Sequence, residues 1–206
     1  MTSKKKRQSG SIKNPLLYWI IISLVVGAML GYEFAKNPDS ELFKGIGLNQ
    51  EPARVDAVLP KNVELCFTPP SGCAAVIEKQ ISQALSSIYV QAYGMTSPTI
   101  VDALIKAHER GVKVRILLDK SNLKDKWSKR SLLVDAGVDV GIDKVSGIAH
   151  KKVMIIDEQK VITGSFNFTR AADSRNAENV IIINDKSVAN EYLQNWLNRK
   201  SKNDFR

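Results

Sequence analysis

The rhythm of apolar and polar positions changes several times along this 206-residue chain. Residues 15–32, PLLYWIIISLVVGAMLGY, are uncharged and apolar on every side. That pattern suits a helix in hydrocarbon better than a helix resting one face on a core. Residues 33–60 mix Gly, Pro and charges without a sustained period and read as a linker. From residue 63 strand-like and helix-like stretches alternate. VELCF, SIYVQAY, VKVRILLD, VDVGID, KKVMIID, KVIT and ENVIIIN read as strands, with Glu158 and Gln159 as turn residues between the fifth and sixth. Helices are expected near residues 74–86, near residues 98–110 where Gly111 stops them, across KDKWSKRSLLVDAG, and across SVANEYLQNWLNRK, where Val188, Tyr192, Leu193 and Trp196 form one stripe. The alternation predicts an α/β fold: a layered α/β/α sandwich around a central mixed, largely parallel sheet, preceded by an N-terminal transmembrane helix. There is no internal repeat.

The formal charge is +9, but it is unevenly distributed. Lys4, Lys5, Lys6, Arg7 and Lys13 precede the apolar run, and no acid precedes Glu33; the other 25 basic residues face all 21 acidic ones. A mildly basic folded part permits a polyanionic substrate without demanding one. Positive residues before the run favour a cytoplasmic N-terminus, and Tyr18, Trp19 and Tyr32 sit where interfacial aromatics belong. The chain therefore divides into a basic cytoplasmic tail at 1–14, a transmembrane anchor or signal segment at 15–32, a linker at 33–60 and a catalytic domain at 61–206. A cleaved signal peptide competes with an anchor, although Val26 and Ala28 offer a poor cleavage site. Both place the domain outside the cytoplasm, anchored or secreted.

Export bears on the two cysteines. Cys66 and Cys73 flank FTPPSG, whose Pro and Gly residues can reverse the chain, so a disulfide is the expectation in an oxidising compartment and two reduced thiols the alternative in the cytosol. Two cysteines and two distant histidines, His108 and His150, do not have the spacing of a four-ligand zinc site.

Polar residues crowd one otherwise apolar stretch, GIAHKKVMIIDEQKVITGSFNFT. In a strand, residues two apart share a face, so His150 and Lys152 point together while Lys151 points away. An imidazole serves as nucleophile or general acid and base near neutral pH, and an ammonium beside it neutralises anionic oxygens, the combination phosphoryl transfer needs. Asp157, an odd number of residues from His150, faces away and suits a buried ion pair or a turn hydrogen bond. Beyond Gly164, Ser165 and Asn167 are again two apart and offer a hydroxyl and an amide to phosphate oxygens. Glu178 opens the next strand, where a carboxylate can fix a histidine tautomer.

His150, Lys152 and Asp157 match the H-x-K-x4-D signature of the phospholipase D superfamily, and Gly164, Ser165 and Asn167 match its G-S-x-N element. Over roughly residues 60–200 the chain resembles the small single-motif members, namely the bacterial endonuclease Nuc and, more closely, the rickettsial-type phospholipases D. CFTPPSGC, VQAYGM, RILLD and NAENVIII carry the closer likeness. The resemblance implies catalytic residues His150, Lys152, Asp157 and Glu178, phosphate contacts from Lys152, Ser165 and Asn167, and no metal or organic cofactor. With one motif copy, it also implies a homodimer with a shared active site and a phosphohistidine intermediate. Phospholipid headgroup release is the expected reaction; nuclease action on DNA or RNA without a metal is an alternative, and an inactive membrane-tethered phosphate-binding module a further one. Lys120, Lys124, Lys126, Lys129, Arg130, Arg170 and Arg175 speak for nucleic acid.

Overall fold

The computed structural model describes residues 15–36, 59–70 and 72–200. The chain divides into two units, Met1–Ala57 and Val58–Arg206. In the first unit, helix α1 runs Pro15–Lys36 and leaves Leu16, Trp19, Leu24 and Met29 about two-thirds exposed. Among the described residues no helix is long and apolar enough to cross a membrane. The helical expectation for residues 15–32 holds, therefore, while their spanning of a membrane is not carried by the structure. The basic tail and most of the linker lie outside the described residues.

The second unit is built on seven strands: β1 (Val63–Thr68), β2 (Ser87–Ala92), β3 (Lys113–Asp119), β4 (Asp139–Asp143), β5 (Lys152–Ile156), β6 (Lys160–Gly164) and β7 (Glu178–Asn184). They form one sheet in the order β1-β7-β6-β5-β2-β3-β4. Only β2–β3 and β3–β4 pair in parallel; the other four pairings are antiparallel. The sheet is mixed as expected, but it is not largely parallel. The two parallel pairs are joined by crossovers that return to the opposite end of the sheet, through α3 (Pro98–Glu109) and α4 (Arg130–Asp135), whereas the connection from Gly164 to Glu178, though it also carries a short helix, re-enters at the end it left. By contrast β5 and β6 are joined by a tight turn centred on Asp157 and Glu158, whose φ angles of 53° and 56° match the twist of a two-residue hairpin. The turn holds the expected Glu158 and Gln159 and takes in Asp157 before them. Asp157 tolerates the left-handed conformation, and its carboxylate is used there.

Helices cover both faces, giving the expected α/β/α layering. On one face α2 (Cys73–Ser82) and α3 pack over Ile88, Val90, Ile116, Met154, Ile162 and Ile182. On the other, α6 (Lys186–Lys200) lays Ala189, Leu193 and Trp196 on Tyr89, Leu117, Val153, Ile155 and Val161. Trp196 fixes this second layer, its indole N–H donating to the Val90 carbonyl at 2.9 Å and its ring packing on Tyr89 at 5.0 Å between centroids. The even and odd positions of β5 divide between these two cores, Met154 and Ile156 in the first and Val153 and Ile155 in the second, as strand periodicity requires.

Local chemistry explains the element ends. Ser97 caps α3, with Pro98 in the first helical turn, and Gly111 follows at φ 89°. The helix expected across residues 124–137 shrinks to α4, with a 3-10 turn at Lys120–Leu123 before it. Polar side chains capture the intervening backbone: Asp125 accepts the Trp127 amide at 2.9 Å, and Ser128, whose hydroxyl donates to Asn122 Oδ1 at 2.9 Å, accepts the Arg130 amide at 3.3 Å. Such local bonds compete with helix formation. A short helix that the periodicity does not signal, α5 (Arg170–Ser174), is capped by Thr169, which accepts the Ala172 amide. Cys66 and Cys73 form a disulfide with Cα atoms 5.7 Å apart, and Asp173 of α5 accepts the Gly72 and Ala74 amides beside it.

Candidate active site

The sequence-predicted residues gather at one end of the sheet, except one. Strand directions decide this. The C-terminal ends of β2, β3 and β6 and the N-terminal ends of β5 and β7 all meet there. Tyr93, Asp119, Lys152, Gly164 and Glu178 stand at those five ends.

His150 precedes β5 and is exposed, whereas Lys152, the first residue of the strand, is 8% exposed. Tyr93 brings them together. The His150 ring meets the Tyr93 ring nearly edge-on at 4.8 Å and 68°, and the Lys152 ammonium lies 5.6 Å from the same ring centroid while donating to the His150 carbonyl at 2.9 Å. Burial pulls the Lys152 ammonium below the ordinary lysine range, and the Glu178 carboxylate pulls it partly back. Lys151 leaves in the other direction and donates to Asn195 on α6.

Across the sheet end, the Ser165 hydroxyl donates to Glu178 Oε2 at 2.5 Å, and Asn176 Nδ2 donates to Glu178 Oε1 at 2.9 Å. The Glu178 amide is held by the Thr68 hydroxyl at 3.1 Å. The expected bond from Glu178 to a histidine ring is absent among the described residues of one chain. Glu178 instead anchors Ser165 and supplies negative charge to Lys152. Gly164 makes the loop possible: its φ is 143°, and a Cβ there would stand 2.3 Å from the Asn179 carbonyl oxygen. Asn167 carries a buried Oδ1 with no hydrogen-bond partner among the described residues.

Asp157 is the exception. It stands at the opposite end of β5, where its carboxylate accepts the amides of Leu85, Ser86 and Ser87 at 2.7–3.2 Å and the Ser86 hydroxyl at 2.8 Å. Burial alone would raise its pKa, but these bonds outweigh burial and hold the carboxyl below its usual range. Its place in the catalytic set is corrected accordingly: Asp157 ties the β5–β6 hairpin to the start of β2, as the turn hydrogen bond anticipated from its parity.

Two contributors escape sequence reasoning. Tyr93 ends the strand-like run SIYVQAY, and nothing in that run signals a ring shared by two catalytic groups. Asp119, 1% exposed at the end of β3, accepts the Ala149 amide at 2.6 Å and the Ser121 amide at 2.9 Å, fixing the backbone immediately before His150. Burial would raise its pKa, yet those amides hold it low, so it stays ionised at neutral pH. A buried Asp closing a strand was the available signal, at RILLD.

A cavity of about 450 Å³ opens beside His150 and Lys152, between the sheet and α6. Its floor includes Gln91, 3% exposed, whose Nε2 lacks a partner. A buried donor left unpaired costs about 1–3 kcal/mol. Gln91 thus places an unsatisfied donor in the cavity that His150 also lines, the condition of a site prepared for a polar ligand.

Comparison with known proteins shows what the chain as a whole is similar to. Residues 77–200 match the family described as "Cardiolipin synthase, PLD-like domain". The chain is 54% identical over 198 residues to a phospholipase D of Rickettsia felis, covering 93% of this chain and 98% of that protein. It is 33% identical over 137 residues to the mitochondrial cardiolipin hydrolase of Mus musculus, covering 62% of each. Its fold resembles that of Nuc, a phospholipase D family member from Salmonella typhimurium, with a TM-score of 0.66 and 33% identity over 70% of this chain and 97% of that one.

Proposed function

Because the chain belongs to the phospholipase D-like family and is a phosphodiesterase of that type, we propose that it releases the headgroup of a phospholipid, turning phosphatidylcholine into phosphatidic acid and choline. The observation that carries the chemistry is the meeting of an exposed imidazole and a buried ammonium on Tyr93, facing the Ser165–Glu178 pair. Lipid is favoured by near full-length likeness to a protein named phospholipase D, and by the relative named for cardiolipin.

One chain brings one motif histidine, and the reaction uses two. In the proposed homodimer the same patch on both subunits meets across a two-fold axis and encloses one phosphorus. An imidazole nitrogen of one His150 attacks phosphorus; the P–N bond forms as the P–O bond to choline breaks, and the departing oxygen takes a proton from the partner's His150. That histidine, now neutral, takes a proton from water as the water oxygen attacks phosphorus and the P–N bond breaks. One water is consumed, and phosphatidic acid and choline leave. Both Lys152 ammoniums and the Ser165 and Asn167 side chains neutralise and hold the equatorial oxygens.

Residues 15–32 serve in this reading as membrane anchor or export signal, with the catalytic unit outside the cytoplasm. The Cys66–Cys73 disulfide supports an oxidising compartment. A second reading, nuclease action on DNA or RNA, is favoured by a groove of about 570 Å³ lined by Trp127, Lys129, Arg170 and Arg175, with Trp127 69% exposed. Aromatic and cationic side chains together suit single strands.

The test uses the full chain in chelator with phosphatidylcholine vesicles and, in parallel, plasmid DNA and RNA. Choline and phosphatidic acid are the expected products, and His150→Asn is expected to lower turnover at least about 10⁴-fold while the dimer persists in sedimentation. Cleavage of nucleic acid alone would transfer the assignment to the nuclease reading. Turnover retained in His150→Asn would remove the nucleophile, and no product from any substrate would leave the inactive module.

A further inference from the structure

Three large apolar side chains stand in water on the loops that frame the site: Leu123 is 58% exposed, Trp127 69% and Ile148 58%. Scattered apolar exposure is ordinary on a soluble surface, but these three belong to two adjoining segments at the site end of the sheet. Leu123 and Trp127 lie on the loop that follows β3, and Ile148 lies two residues before His150. The two segments are fastened to each other: Lys120 donates to the Val145 and Ser146 carbonyls at 3.3 and 3.5 Å, and Asp119 accepts the Ala149 amide. The loop is also fastened beside the catalytic ring, because Asn122 Nδ2 donates to the Tyr93 carbonyl at 2.7 Å and the Lys129 amide to the Met95 carbonyl at 2.9 Å. Charge around the apolar side chains is one-sided. Lys120, Lys124 and Lys126 are exposed, and within residues 120–130 the one acid is Asp125. Lys126 lies 5.2 Å from the Trp127 ring centroid, and neither Lys124 nor Lys126 has a carboxylate partner among the described residues.

From this pairing of exposed apolar and cationic groups we infer that the loop 120–129, with Ile148, is a docking surface for a bilayer that carries anionic lipid. The inference rests on the phospholipase reading above and names the surface by which that site meets a membrane. An indole settles at headgroup depth, Leu123 and Ile148 enter the acyl boundary, and the lysines between them gain from the negative surface potential, a gain that salt screens. Because the loop is bonded to the segments that carry Tyr93 and His150, docking would hold the site at the lipid surface. Trp127 also borders the groove that favours nucleic acid, so the aliphatic side chains decide between the two occupants. A strand can use the indole and the lysines, but Leu123 and Ile148 have no flat ring to stack on a base and would stay in water. A second copy fits less well, since an isologous contact through this loop would bring the same lysines of two subunits together.

The experiment compares the full chain on two forms of one substrate: vesicles of phosphatidylcholine with increasing phosphatidylglycerol, and monomeric short-chain phosphatidylcholine. Choline release is measured from both. In wild type the vesicle-to-monomer ratio of kcat/KM is expected to rise with the phosphatidylglycerol fraction and fall with salt. Leu123→Ser and Trp127→Ser each lower that ratio about tenfold, as loss of one buried apolar side chain would. Lys124→Ser combined with Lys126→Ser removes most of its dependence on phosphatidylglycerol and salt. Binding is read without turnover by lipids brominated in the acyl chain, which quench wild-type tryptophan fluorescence more than that of Trp127→Phe. The difference belongs to Trp127, because Trp196 is buried and Trp19 is common to both proteins. Melting curves check that each variant folds.

The outcomes separate this inference from the reading beneath it. Choline release with an unchanged ratio in Leu123→Ser and Trp127→Ser, whether the two rates hold or fall together, overturns the docking surface and leaves the phospholipase intact. No choline from either form overturns the phospholipase reading, and the quenching of Trp127 then supports the surface if present and overturns it if absent. Conversion of a dimer to monomers by Trp127→Ser in sedimentation assigns the loop to a second copy. Loss of DNA or RNA cleavage in these variants, with the vesicle ratio untouched, assigns it to a strand; either result refutes membrane docking.

Discussion

Lys152 works only while protonated, because a neutral amine cannot offset charge on a phosphate oxygen. Its environment sets two opposed pulls: burial lowers its pKa, and Glu178 raises it. The alkaline limb of the activity profile is therefore expected below the ordinary lysine range. In Glu178→Gln the restoring charge is gone, Lys152 deprotonates more readily, and that limb moves to lower pH. A kcat/KM profile measures it; a limb that stays in place would assign the alkaline transition to another group. At this scale the sequence showed which residue types carry the chemistry but not how each is held. His150, Lys152, Ser165 and Asn167 announce themselves by type and spacing. Tyr93 and Asp119 do not, because their roles arise from contacts across 57 and 30 residues of chain, with His150 and Ala149. Glu178 was found by its place before a strand, yet its partners, Ser165 and Asn176, emerge only once β6 and β7 pair.

The elements that deliver these residues depend on a few backbone conformations. Gly164 ends β6 with the φ of 143° that turns the chain toward Ser165 and Asn167, and the Asn179 carbonyl of β7 occupies the space a Cβ would take. Gly164→Ala should therefore cost about 2–3 kcal/mol through backbone strain, lowering the melting midpoint by roughly 5–10 °C. Relief by parting β6 from β7 would also displace Ser165 from Glu178, so kcat should fall even at temperatures where the variant is fully folded. Thermal melts and kinetics on the same sample check both parts, and wild-type values for both would show that the loop absorbs the methyl group. Strand positions were legible because each strand is a short run of β-branched residues bounded by turn or helix signals. Strand pairing was not. A run such as ENVIIIN reads the same whether its neighbours are parallel or antiparallel, and what distinguishes them is the end of the sheet to which the connection returns. The over-long helix across residues 124–137 has the reverse cause: its apolar spacing is helical, but Asp125 and Ser128 divert the backbone before Arg130.

For the whole molecule the decisive quantity is how many chains make one site. Each chain shows a single H-x-K-x4-D set, its imidazole exposed at an open sheet end. If one phosphorus lies between two His150 side chains, a dimer carrying a single His150→Asn subunit lacks either its nucleophile or its acid. Activity after random exchange must then fall as the square of the wild-type fraction. Equal mixing leaves about one quarter of the activity of the same total concentration of wild type, whereas independent subunits would leave about one half. The exchange is made by mild dissociation and reassociation of the two full chains, and mass spectrometry of differently tagged subunits confirms that mixing was complete. Retention near one half would return the entire reaction to a single chain. It would then require a second acid from within that chain, and Glu178, bonded to Ser165 at the sheet end, is the first candidate to supply it.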